Sequence, residues 1–169
     1  MSAPEITPAQ VHATLGRIAI TFAALEHEIQ LIIVKLAFRG EWLTASALIE
    51  DRTLARNLAA LKRLGATLEP PGSSLLDRFV KKTDAIRERR NLFVHGTWTI
   101  NAAVLKEGVV RIRSGRVTVA MEKNDKVWSR GTTEELTFGE LRDIEAEVLS
   151  CLQDAKILHE RLEPPDLID

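Results

Sequence analysis

Apolar residues recur in alternating steps of three and four along several stretches of this chain, the spacing of a helix that buries one face. In the first stretch Val11, Leu15, Ile18, Phe22, Leu25, Ile29, Ile32 and Leu36 keep the rhythm as far as Gly40. That predicts a helix of about nine turns. Thr7 is placed as its N-cap, Pro8 as its first residue and Gln10 as the partner in a capping box, with Ile6 and Val11 set for a hydrophobic staple. Glu41 to Leu64 reads as a second helical region in two pieces. Leu43 and Ala47 mark the first piece, Leu54, Leu58 and Leu61 the second, and Leu48-Ile49 adds an apolar pair. Asp51 or Thr53 would cap the second piece, and Gly65 ends it. After the loop Glu69-Pro70-Pro71-Gly72, Ser74 with Asp77 predicts another helix start. This third helix carries Leu76, Phe79, Thr83, Ile86 and Phe93 on one stripe. Thr137 and Glu140 form a last capping box, followed by Leu141, Ile144, Val148, Cys151, Ala155, Leu158 and Leu162, and Pro164-Pro165 stops that helix.

Between the third and last long helices the period changes from helical to alternating. Thr97 to Leu105, Val109 to Ser114, Arg116 to Met121 and Lys126 to Ser129 alternate or are β-branched, with turns at Glu107-Gly108, Ser114-Gly115 and Asn124-Asp125. The pattern predicts a mainly α protein with a small antiparallel β meander over about 97–130, inserted between helices three and four. Lys106, Arg111, Arg113, Arg116, Lys123, Lys126 and Arg130 make the insertion basic. They are either solvated strand faces or a wall that guides phosphates.

Composition narrows the function classes. A chain of 169 residues with 45% apolar and 28% charged content reads as one globular domain, 1–169. A chain of this size buries about 70% of its unfolded surface. One cysteine, Cys151, excludes an internal disulfide. The N-terminal residues show no basic region followed by an apolar run, and Lys35 interrupts Leu31-Ile32-Ile33-Val34, so the expectation is a cytoplasmic protein with no membrane association. From Glu134 onward 11 acids face 3 bases, whereas the remainder holds 20 bases and 13 acids. A basic body with an acidic last helix permits phosphate contacts. Tyrosine is absent and aromatics make up 5%, which argues against recognition by stacked bases. No His or Cys pair has convincing metal spacing, so neither metal nor cofactor is expected. His12 and His27 read as surface residues.

The chemistry concentrates in Arg89-Arg90-Asn91-Leu92-Phe93-Val94-His95-Gly96, which closes the third long helix. Arg90 falls in the apolar stripe, four past Ile86 and three before Phe93. A guanidinium stays charged, so Arg90 pairs internally, lines a polar pocket, or carries its head out to water. Glu26, beside the stripe of the first helix, is either its internal partner or a solvated flank carboxylate. Asn91 and His95 are four apart and share a face. A rise of roughly 1.5 Å per residue separates the backbones of Arg90 and His95 by about 7.5 Å along the axis. Gly96 is a natural C′ residue, which sets His95 in the last turn. That turn favours a protonated His95, while Arg87, Arg89 and Arg90 oppose it.

Arg90-Asn91-x-x-x-His95 resembles the Arg-x4–6-His signature of the HEPN superfamily, in which a polar residue commonly follows the arginine. The organisation resembles HEPN domains from about Thr7 to Leu162. The β insertion departs from the minimal pattern, as it does in some branches. The resemblance implies an up-and-down four-helix bundle acting as a homodimer with the two motifs facing each other. It also implies metal-independent endoribonuclease chemistry on RNA. Arg90, Asn91 and His95 would be the catalytic residues, with Glu26 and Arg87 as supporting candidates. Two other roles fit the same resemblance. One is a toxin or defence component masked by a cognate antitoxin of nucleotidyltransferase type, and the other a non-catalytic module that binds a nucleotide or a protein.

Overall fold

The rhythm that follows Thr7 folds as α1, Pro8–Phe38, in a computed structural model that describes residues 6–38, 41–49, 53–113, 118–122, 125–129 and 133–164. Within those segments the side chains of Trp42, Ser46, Glu88, Arg90, Asn91, Leu92, Val94, His95, Ala102 and residues 118–122 and 125–129 lie outside the described set. The capping box at the start of α1 forms: the Thr7 N–H donates to Gln10 Oε1 at 2.9 Å, and the Gln10 N–H donates to Thr7 Oγ1 at 3.3 Å. Of the expected stripe only Leu15 stays half-buried; the other seven residues are buried. The chain then continues through α2 (Trp42–Ile49), α3 (Leu54–Gly65), α4 (Gly72–His95), β1 (Thr97–Thr99), α5 (Ala102–Lys106), β2 (Val109–Arg113), β3 (Thr118–Glu122), β4 (Asp125–Ser129), β5 (Thr133–Thr137) and α6 (Phe138–Arg161). The protein is therefore mainly helical with a small antiparallel sheet. Among the described residues no helix is long and apolar enough to cross a membrane.

The chain divides into two compact units, Met1–Ala19 with Arg89–Glu145, and Ile20–Glu88 with Ala146–Asp169. In the first, Val11, Ile18, Val104, Val110, Ile112, Leu141 and Ile144 are buried. The sheet order is β1-β2-β5, antiparallel throughout, with Trp98 opposite Ile112 and Ile112 opposite Glu134. Arg17 pairs with Glu145 and donates to the buried Thr14 hydroxyl at 3.0 Å. Thr137 and Glu140 close their capping box at the start of α6, at 2.7 and 3.1 Å.

The second unit holds most of the apolar core. Phe22, Leu25, Ile29 and Ile32 of α1 are buried, as are Leu54, Leu58 and Leu61 of α3 and Leu76, Phe79 and Ile86 of α4. Val148, Cys151, Ala155 and Leu158 of α6 complete it. Thr53 caps α3, its hydroxyl accepting from the Arg56 N–H. Lys35 Nζ donates to the carbonyl of His159 at 2.9 Å, which satisfies an acceptor that the end of α6 leaves open.

Four local expectations give way to the structure. The start of the third long helix is Gly72 rather than the turn after Ser74. Its first turn bonds back to the loop, with the Ser73 N–H on the Glu69 carbonyl and the Leu75 N–H on the Pro71 carbonyl. Asp77 is then mid-helix and pairs with Lys81 at 2.7 Å. The expected strand 97–105 is only three residues long. Asn101 caps α5 instead, its Oδ1 accepting from the N–H groups of Ala103 and Val104, and the short run after it turns helical. The insertion is not one meander: β5 supplies the third strand of the sheet, and β3 pairs with β4 as a separate two-stranded ribbon. Among the described side chains of α2 the buried ones are Ala45 and Ile49, while Leu43 is 88% exposed and Leu48 54%.

Candidate functional site

The helix carrying the arginine–histidine motif is continuous from Gly72 to His95, and Gly96 then leads into β1. The backbone of Arg90, Asn91 and His95 therefore lies in the last two turns of one helix, and His95 is its final residue. Their side chains lie outside the described residues. Whether Arg90 pairs internally and whether Asn91 meets His95 fall there too.

What holds this helix end is described. The last four carbonyls of a helix have no partner within it. Trp98 supplies one, its indole N–H donating to the Phe93 carbonyl at 3.2 Å. The Phe93 and Trp98 rings lie against each other with centroids 5.2 Å apart and planes tilted by 32°. Such tilted pairs are attractive beyond their buried area. A side chain on β1 thus clamps the turn that bears the motif, from the far side of the bend at Gly96. The sequence reading missed this contact, although an aromatic pair five residues apart across a helix-ending glycine was visible.

The flanking charges are also placed. Arg87 Nε pairs with Asp84 Oδ1 at 2.7 Å, so this supporting candidate has a carboxylate of its own within the helix. Arg89 is exposed and lies close enough to Glu140 to favour its ionised form. The Glu140 carboxyl is held below its ordinary value mainly by the Thr137 N–H, then by the Thr137 hydroxyl, with Arg89 adding a smaller electrostatic pull. Glu26, the other supporting candidate, is half-buried on α1 with Oε1 withdrawn from solvent, so it is not a freely solvated flank carboxylate. It belongs to the unit Ile20–Glu88 with Ala146–Asp169, whereas the motif belongs to the other.

In the β insertion Arg111 is taken up by two carboxylates, Glu107 at 2.5 Å and Glu135 at 2.7 Å, which together more than offset its single charge. Lys106 and Arg113 are exposed. Arg116, Lys123 and Arg130, with the side chain of Lys126, lie outside the described residues. His12 and His27 are exposed, as expected. Among the described residues no group of three or more His, Cys, Asp or Glu side chains is placed to hold a metal ion.

Fold and site together define a mainly α-helical protein with a three-stranded antiparallel sheet and an arginine–histidine helix terminus. Compared with known proteins, the chain matches no family model, no curated protein and no solved structure.

Proposed function

We propose that the protein is a metal-independent endoribonuclease that cuts RNA by internal transesterification, in a HEPN-like arrangement of α1, α3, α4 and α6 as an up-and-down bundle. The observation that carries this reading is the unbroken helix from Gly72 to His95, which keeps Arg90, Asn91 and His95 at helical spacing up to a clamped end. Asn91 and His95 are one turn apart on that backbone. In the proposed reaction the substrate 2′-oxygen attacks the adjacent phosphorus, the bond from phosphorus to the 5′-oxygen breaks, and a 2′,3′-cyclic phosphate and a 5′-hydroxyl result. His95 takes the 2′ proton or delivers one to the leaving oxygen, a role that typically contributes about 10²–10⁴-fold. Arg90 stabilises the charge developing on the non-bridging oxygens, and Asn91 orients His95 or a phosphate oxygen. One motif lacks a second proton-transfer group, so a homodimer with facing motifs would supply it. Masking by a nucleotidyltransferase-type antitoxin would suit the same site.

The deciding experiment compares the purified protein with Arg90→Ala and His95→Ala on RNA, with and without excess chelator, and on RNA carrying one 2′-deoxy residue at the cut. Cleavage that survives chelator and fails with either variant or the deoxy substrate is expected. Wild-type cleavage by His95→Ala removes the catalytic assignment. RNA binding without cleavage moves the protein to the non-catalytic binding class.

A further inference from the structure

The second unit carries a built groove that the reaction above does not use. Leu75, Arg78, Phe79 and Lys82 of α4 face Asp154, Ile157, Leu158 and Arg161 of α6 across a cavity of about 330 Å³. A second cavity of about 620 Å³ adjoins it, for Leu75 and Arg161 line both; Leu68, Gly72 and Leu162 are among its other walls. Both volumes fall in the range of small-molecule sites, which are mostly apolar with a few placed polar groups.

Three observations bear on the occupant. The floor is apolar: Phe79, Leu158 and Leu162 are buried beneath it. Ile157 stands at the rim 44% exposed, an aliphatic surface that a bound apolar body would remove from water. The cations are unequal. Lys82 is already bound to Asp154 at 2.5 Å and to the Ser150 hydroxyl at 2.8 Å. Arg78 and Arg161 are exposed and form no ion pair among the described residues. An apolar trough with two exposed guanidiniums is complementary to a hydrocarbon body ending in an anion, and a planar carboxylate is one that a guanidinium can hold by two parallel hydrogen bonds.

We propose that this groove binds a single-chain amphiphilic carboxylate, with the head between Arg78 and Arg161 and the chain along Leu75, Phe79, Ile157 and Leu68. A neutral chain of the same length fills the trough without engaging the arginines. A cationic one meets them with like charge. The acidic Glu69 and Glu163 at the second cavity set the polarity, since they repel the carboxylate head from that end and leave it the hydrocarbon tail.

The test is calorimetric titration of the full-length protein with dodecanoate below its micelle concentration, beside dodecanol and dodecyltrimethylammonium. Dodecanoate should bind one to one, and at least fivefold more tightly than either comparator. The Arg78→Gln/Arg161→Gln double variant should weaken dodecanoate at least fivefold and leave dodecanol unchanged, because both side chains are exposed and carry no described ion pair. Ile157→Glu, a rim change that leaves the buried floor intact, should weaken dodecanoate as well. Circular dichroism confirms that each variant is folded. Equal binding of dodecanoate and dodecanol, unchanged binding by the folded double variant, or no binding of dodecanoate overturns the proposal. RNA cleavage is assayed in parallel, and its presence or absence leaves this result untouched.

Discussion

Replacing Trp98 by Phe removes the indole N–H from the end of α4 while keeping an aromatic ring against Phe93. The bond is 3.2 Å long, at the upper end of ordinary N–H···O distances, and Trp98 is half-buried, so water can partly replace the lost donor. A net hydrogen bond contributes about 0.5–1.5 kcal/mol, and the lower half of that range, about 0.5–1 kcal/mol, applies here. Trp98→Ala also loses the ring pair, worth about 0.5–1.5 kcal/mol beyond area, together with part of the buried indole surface, for a total of about 2–3 kcal/mol. In a protein of this size about 1 kcal/mol moves Tm by about 2–4 °C. The expected falls are therefore about 2 °C for Trp98→Phe and about 5–10 °C for Trp98→Ala. Thermal unfolding followed by far-ultraviolet circular dichroism is the assay, since tryptophan fluorescence would change with the substitution itself. A cycle with Phe93→Leu should show the two sites coupled by about 0.5 kcal/mol or more. If Trp98→Ala melts with the wild-type protein, or if the two substitutions add without coupling, the clamp does not hold the motif-bearing turn.

Gly108 sits at φ 77° with open space where the methyl group of an alanine would go, so Gly108→Ala should cost about 1–2 kcal/mol through backbone strain alone, measured by urea unfolding, with Gly108→Asn milder. Glu140 has a depressed carboxyl, so its stabilisation is present above the ordinary carboxylate value and is lost as pH falls through the lower folded one. The urea midpoints of wild type and Glu140→Ala should accordingly differ at neutral pH and converge in acid; a gap that widens in acid contradicts the assignment. Cys151 is buried, and burial pushes its thiol up, so a thiol reagent at neutral pH should label it only after unfolding. Labelling of the native protein at the rate of a free thiol would show that α6 does not pack as described.

The long helices were legible because their signal is local and repeated. Leu141, Ile144, Val148, Cys151, Ala155, Leu158 and Leu162 return to one face every turn, and all seven are buried. The capping boxes at Thr7 and Thr137 need only residues three apart and formed as read, whereas the same spacing at Ser74 and Asp77 did not mark the start of α4. Short elements lack that redundancy. Ala102 to Lys106 carries apolar residues that suit a strand or a helix, and the Asn101 side chain decides in favour of the helix. The eight-residue α2 has no charge to mark its outer side, and packing alone turned Ala45 and Ile49 inward.

The motif could be found in the sequence because Arg90, Asn91 and His95 are close along the chain, and helical spacing relates their backbones without any tertiary contact. Its clamp is different: Trp98 reaches Phe93 only because the chain bends at Gly96 into β1. Strand β5 shows the same limit more sharply. Thr133, Glu134, Glu135 and Thr137 are exposed and Leu136 is half-buried, so nothing in hydropathy marks a strand. What makes it one is the ladder to Val109–Arg113 and the pairing of Glu135 with Arg111, 24 residues earlier in the chain. Burial periodicity over the long helices and the capping boxes at Thr7 and Thr137 are properties of neighbours along the chain, and the sequence by itself determined them. Strand pairing, the closure of a helix end by an indole beyond the bend at Gly96 and the groove between Arg78 and Arg161 need groups that only folding brings together, and there the tertiary structure decided.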